Sequence, residues 1–168
     1  MVETSICESC LSSNDLCNLC QNKLESGDVT EKDIEVSRFL FTLSDKVKSL
    51  SDIKIVKIID SECLIIISKI GDAAKLVGKN GFVVKALAKE FKKPIRVLEE
   101  ADTLKTFVEN LISPISIQGI NTLYTSEGEV YKFRIPSNYK GRLNITPESF
   151  SDIVSDIYNC KAELVFEQ

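Results

Sequence analysis

The sequence predicts an α+β protein in three parts. Three observations carry this. Two closely spaced cysteine pairs open the chain, β-branched runs alternate with helical periodicity through the rest, and one G-x-x-G interrupts helical material near the middle. A chain of 168 residues suffices for two small domains with modest cores, and its hydrophobic content of 43% and charged content of 27% are those of a soluble globular protein. No apolar run approaches the roughly 18 residues of a membrane span. The opening MVETSICESC has neither the basic n-region nor the apolar h-region of a signal peptide. A cytoplasmic protein is therefore expected, with cysteines reduced or bound to metal.

Residues 1–29 are short of core material and rich in cysteine. Cys7, Cys10, Cys17 and Cys20 form a C-x2-C-x6-C-x2-C pattern. Two residues between cysteines let both thiolates reach one tetrahedral ion at about 2.3 Å, and two such pairs fill its coordination shell. A closed shell leaves no position for substrate, so the pattern reads as a structural zinc knuckle. An iron–sulfur cluster also uses four cysteines, but the bacterial ferredoxin spacing is absent. Two cytosolic disulfides are a weaker reading. Cys63 and Cys160 read as small core residues.

Residues 30–100 form the second part. Thr30 and Asp33 have the form of a capping box, and Val36, Leu40, Leu43, Val47 and Leu50 make one apolar stripe of the helix that follows. DIKIVKIID and ECLIIISK read as strands joined at Asp60 and Ser61. IGDAAKLV is a short helix with Asp72 as its expected N-cap. After the glycines, Val84, Leu87 and Phe91 are spaced as a buried face, with Lys85, Lys89 and Lys92 on another. Pro94 stops this helix and IRVLE is a strand.

Residues 101–168 repeat part of that rhythm. ADTLKTFVENLI reads as a helix, ISIQGINTLYT and VYKFRIP as strands turning at Gly128, and GRLNI as a further short strand. Thr146 and Pro147 have the form of an N-cap and first helical position, opening a helix that leads to the strand KAELVFE. Tyr124, Tyr131, Phe133 and Tyr139 fall in strand-like runs and read mainly as core. Two explanations of this α/β segment stand: a degenerate duplication of the preceding part, or an unrelated unit. It has no counterpart of the GKNG sequence.

That GKNG, Gly78 to Gly81, resists the common phosphate-loop patterns. Six residues separate Gly71 from Gly78 where a Walker loop needs four, and Asn80 follows the lysine. The first glycine of a dinucleotide fingerprint is missing. Its surroundings are more informative. A G-x-x-G between two helices, after two strands and before a third, is the signature of a KH domain, whose loop clamps about four nucleotides of a single strand. The order αββααβ is that of the type II form. The chain is acidic overall at −4, yet residues 75–96 carry Lys75, Lys79, Lys85, Lys89, Lys92, Lys93 and Arg96 against Glu90 alone, a local charge of +6. Screening confines such interactions to about 10 Å, so the local surface decides what binds. The candidate nucleic-acid-binding residues are Gly78, Lys79, Asn80, Gly81, Lys75, Lys85 and Lys89.

CESCLSSNDLCNLCQNKLESGDVTEKDIEVSRFLFTL followed by this unit resembles the archaeal NusA-like RNA-binding proteins, strongly over about residues 5–100 and more weakly beyond. The resemblance implies a four-cysteine knuckle ahead of a type II KH domain, single-stranded RNA as partner, and a role in transcription elongation or termination. It maps the family's loop onto Gly78–Gly81 and its thiolates onto Cys7, Cys10, Cys17 and Cys20. Asn80 stands where relatives commonly have Gly. The competing reading is a zinc-dependent interaction module that docks on RNA polymerase or the ribosome, with its lysines as a solvated helix face. An enzyme is not expected. The chain has no histidine, no open metal site and no nucleophile beside a base, and nothing suggests a small-molecule substrate.

Overall fold

The computed structural model describes residues 2–167. They divide between Glu100 and Ala101 into two compact units. The protein is a mixed α+β chain with a three-stranded sheet in each unit and a four-cysteine cluster near its start.

The first unit begins with two short helices, α1 (Glu8–Ser12) and α2 (Asn18–Ser26), then α3 (Glu31–Ser44). The capping box forms as the sequence predicts. The Asp33 amide donates to Thr30 Oγ1 at 3.1 Å and the Thr30 amide donates to Asp33 Oδ2 at 2.7 Å. The apolar stripe outlasts its helix, however. The Lys46 and Val47 amides both donate to the Leu43 carbonyl, which closes α3, and Leu50 reaches the core from a short 3-10 turn at Lys48–Leu50.

Strands β1 (Ile55–Asp60) and β2 (Leu64–Ser68) pair antiparallel, with Asp60 opposite Leu64. The next strand, β3 (Ile95–Glu99), lies parallel to β2, with Leu64 opposite Ile95. A parallel neighbour demands a crossover. Helices α4 (Ala73–Val77) and α5 (Phe82–Phe91) supply it, with Gly78–Gly81 at its midpoint. All five residues of β2 are buried, as its unbroken apolar run implies. One core joins Val36 and Leu40 of α3, Ile58, Leu64 and Ile66 of the sheet, and Leu76, Val83 and Leu87 of the crossover. The fully buried residue at the start of α5 is Val83, not Val84, which is only half-buried. The N-terminal arm extends this core. Glu3 exchanges backbone hydrogen bonds with Ile53 and Ile55, which buries Val2.

The second unit runs α6 (Leu104–Ile112), β4 (Gly119–Thr125), β5 (Gly128–Pro136), α7 (Pro147–Tyr158) and β6 (Lys161–Glu167). The β4–β5 pair is antiparallel and the β5–β6 pair parallel. Strand order and polarity thus repeat those of the first sheet, as a duplication would leave them. Gly128 turns the hairpin at φ 121°. Thr146 Oγ1 accepts from the Ser149 amide, with Pro147 in the first turn of α7. Phe133 of β5 meets Phe150 of α7 edge-on, ring centroids 5.9 Å apart, inside the core.

Two expectations fail in this unit. GRLNI is not a strand, because the Lys140 and Arg142 amides bond back to Ser137 and Tyr139, winding the segment into turns with Gly141 at φ 84°. Of the four aromatics read mainly as core, only Phe133 is buried: Tyr131 and Tyr139 are half-buried, and Tyr124 stands 76% exposed near the end of β4.

Replacing Thr30 by Ala removes one half of the capping box and should lower the unfolding free energy by about 1 kcal/mol. Thr30→Ser keeps the hydroxyl and should retain most of it. Urea unfolding of the two variants, followed by circular dichroism, makes the comparison.

Candidate nucleic-acid interface and metal centre

The crossover is fixed at its entry by two carboxylates. Glu99, at the end of β3, accepts from the Gly71 amide at 2.8 Å and the Ala73 amide at 3.4 Å, serving the start of α4. Asp72 does not act as the N-cap that its position suggests. Its backbone is already helical (φ −99°, ψ −15°) and its side chain makes no capping bond. It accepts instead from the Lys54 amide at 2.9 Å and from Lys75 Nζ at 2.8 Å. Those two donors hold the Asp72 carboxyl below its usual range, the lysine contributing most. A strand-end carboxylate thus does the capping, and Asp72 fastens the helix to the residue before β1.

The Gly78 amide donates to Ala74 O at 3.1 Å, ending α4. Three of the next four residues then take left-handed φ: Gly78 at 74°, Asn80 at 55° and Gly81 at 71°. Asn is the non-glycine residue that accepts this region with least penalty, which accounts for its place between two glycines. The two glycines do different work. A Cβ on Gly78 would lie 2.7 Å from Val83 Cγ2, a fully buried side chain. A Cβ on Gly81 would meet nothing nearer than Lys85 Cε at 3.8 Å. Gly78 therefore lets the loop close on the core, and Gly81 leaves an open flank.

The predicted cations divide in two. Lys75 is tied to Asp72, and Lys93 pairs with Asp60 at 2.6 Å. Lys85 folds back to donate to Asn80 O at 3.0 Å, so its ammonium stands over the loop. Lys79 and Lys89 are exposed, with no hydrogen-bond or ion-pair partner among the described residues. Lys79, Asn80, Lys85 and Lys89 thus present one exposed polar face around the GKNG turn. Sequence reasoning missed two apolar neighbours: Val77 is 38% exposed and Phe82 is 54% exposed, one on each side of the loop. The spacing of Phe82 to Lys85 and Lys89 was the available signal.

The second constellation lies in residues 7–20. The four Sγ atoms all lie within 4.8 Å of one another. Cys7 Sγ is 3.3 Å from Cys10, 3.8 Å from Cys17 and 3.7 Å from Cys20. Four thiolates about 2.3 Å from one tetrahedral ion would be about 3.8 Å apart, so the cluster fits a single bound metal. None of the four is in a disulfide. Backbone amides already turn toward the sulfurs, Cys17 N–H to Cys10 Sγ at 3.1 Å and Cys7 N–H to Cys20 Sγ at 3.5 Å. The Ser9 hydroxyl, 3.1 Å from Cys7 Sγ, is the main cause that draws the Cys7 thiol down to about 6, whereas burial pushes Cys20 up to about 12. Arg38 of α3 anchors this knuckle, donating to Cys10 O and Asn14 O at 3.0 Å each. Ile6, Leu11, Val29 and Ile34 pack a small core beneath it.

Gly78→Ala and Gly81→Ala should not be equivalent. Gly81→Ala carries only the left-handed strain, about 1 kcal/mol. Gly78→Ala adds a clash with Val83 and should cost about 2–4 kcal/mol in all. Chemical denaturation of both variants tests the order, and equal losses would contradict the close approach of Gly78 to the core.

No family model matches the chain. Over 61 residues the sequence is 33% identical to the probable transcription termination protein NusA of Methanococcus vannielii, a match covering 36% of this chain and 35% of the relative. The matched stretch thus spans about a third of that protein's length. The fold is similar to the crystal structure of APE1850, with a TM-score of 0.59 and 19% identity, over 77% of this chain and 96% of that one. At that identity the second likeness concerns the fold alone.

Proposed function

We propose that this chain is a single-stranded RNA-binding protein of NusA-like type, a non-enzymatic adaptor in transcription elongation or termination or in RNA metabolism. One observation carries the reading. The crossover between parallel strands turns at GKNG, with its left-handed backbone exposed beside Lys79, Lys85 and Lys89. The arrangement of helix, antiparallel hairpin, helix–GKNG–helix and parallel third strand supports a type II KH unit in the first half. The similarity to a NusA over part of the chain supports the transcriptional setting.

In this reading the loop binds backbone and does no chemistry. A phosphate approaches the Gly81 flank, where no Cβ intervenes, and meets Lys79, while the Gly78 and Gly81 amides stay engaged in shaping the turn, donating to Ala74 O and Gly78 O. The Lys85 ammonium at Asn80 O holds the turn and adds charge. The second unit repeats the strand pattern but replaces α4 and the loop with a 3-10 turn at Ser137–Tyr139, so it contributes surface without a clamp. The knuckle takes one zinc ion as a structural element. Four thiolates suit that ion, and all ligand positions are filled by protein. Bound zinc would fix the relative placement of α1 and α2.

The isolated protein should therefore contain about one zinc per chain. Apparent zinc affinity should fall as pH is lowered from 8 to 6, because protons compete for the thiolates. Metal analysis and a competition titration with a chromogenic chelator measure both, and an iron–sulfur absorption spectrum would contradict the assignment. For the loop, Lys79→Asp with Asn80→Asp should abolish binding of short single-stranded RNA while leaving the circular dichroism unchanged. Both side chains are exposed, and Asp tolerates the left-handed region. Wild-type binding should show a log–log salt slope near −2, about three phosphate contacts, and Lys79→Ala should reduce its magnitude by about 0.7. Equal affinity of the wild type and the folded double-aspartate variant would overturn the reading.

A further inference from the structure

Phe82 sits where the hydrophobic effect gives it no reason to be. It is the first residue of α5, immediately after the loop, and it is 54% exposed. The buried stripe of α5 runs through Val83 and Leu87. Phe82 lies off that stripe, at helical spacing from Lys85 and Lys89, which puts the ring and the two ammonium groups on one face. Val77, on the far side of the loop, is exposed as well. Isolated exposed apolar side chains need no explanation. Here an aromatic ring is in register with a basic stripe, and the loop between it and Val77 carries the unpaired Lys79. No acidic side chain occupies the first turn of α5 to repel phosphate.

We propose that Phe82 is a stacking platform for the nucleobase attached to the phosphate held at the GKNG loop. The proposal rests on the RNA-binding reading above and adds a base contact to its backbone contact. The division of labour follows from the chemistry of the face. Lys79 at the loop holds phosphate, which carries no sequence information, while the ring takes the π-face of a base. Stacking tolerates any base but favours the larger surface of purines. The site should therefore prefer adenine to uracil without reading hydrogen-bonding edges, and it should require that a base be present.

The test uses the full-length protein with zinc bound and hexamers of A, of U, and of A with one abasic residue at each position in turn. Phe82→Ala should weaken binding of the A hexamer about tenfold and narrow the preference for A over U. Its salt slope should match wild type, because no charge is lost. In Lys79→Ala, by contrast, the slope should change. The chain contains no tryptophan, so Phe82→Trp introduces a single reporter. It should bind as well as wild type, with fluorescence quenched by the A hexamer and quenched less by one abasic form. Three results would overturn the proposal: unchanged affinity in Phe82→Ala, a slope change equal to that of Lys79→Ala, or an unquenched Phe82→Trp at saturation. If Phe82→Ala binds like wild type while the double-aspartate loop variant does not bind, the clamp stands and the platform fails. If wild type binds none of the hexamers, both fail.

Discussion

The approach of Gly78 to Val83 sets the geometry of the first unit's exposed loop face. A parallel third strand requires the chain to leave β2, cross the sheet and return, and here the crossover is broken at its centre so that α4 and α5 change direction within four residues. That reversal needs the backbone of Gly78 against a fully buried valine, 2.7 Å from where a Cβ would be. Once the contact is made, the rest of the turn has nowhere to go but outward. Lys79 and Asn80 are pushed into solvent, Gly81 is left with an open flank, and α5 starts with Phe82 outside the core and Val83 inside it. The exposed basic surface is thus a by-product of how the core is closed.

Two further devices keep that surface in place. At the entry to α4, the Glu99 carboxylate serves the free amides while Asp72 reaches back to Lys54, so the helix is fastened to both the third strand and the start of the first. At the other end of the unit the cysteine knuckle rides on α3 through the Arg38 guanidinium and a small apolar cluster. Five residues of α1 and nine of α2 are too few to be stable helices alone. Ligand formation at four thiolates would supply what their burial cannot. The cysteine cluster and the loop are therefore different in kind: the first would act as a staple, once metal is bound, for a segment without enough core, and the second is an exposed turn whose strain the core supports.

What was legible in the sequence was local. The capping box at Thr30, the N-cap and proline opening α7, the hairpin glycine at 128 and the chelating spacing of the cysteines each depend on residues within a few positions of one another, and each forms. The location of the GKNG turn was legible because glycines punctuate helices. What could not be read depended on distant partners or on a rotation of one residue. Asp72 has the letter and position of an N-cap, but its partner Lys54 is eighteen residues earlier and its role passes to Glu99, twenty-seven residues later. Val83 and Val84 are adjacent and alike, and only packing decides which turns inward. The apolar stripe through Leu50 continued past the end of α3 because burial does not require a helix to deliver it. GRLNI has the composition of a strand, yet turn hydrogen bonds at Ser137 and Tyr139 claim its approach. Phe82 shares its helical spacing with Lys85 and Lys89, but an aromatic residue is apolar enough for either face, and only packing leaves it 54% exposed.

The most direct measurement is a backbone-amide NMR titration of the zinc-loaded protein with a short single-stranded RNA. If the crossover turn grips the strand, the largest shift changes fall on Gly78–Gly81 and the first turn of α5, with smaller changes at Lys85 and Lys89 and little at residues 7–20. A titration that saturates while leaving Gly78–Gly81 unmoved would contradict the account.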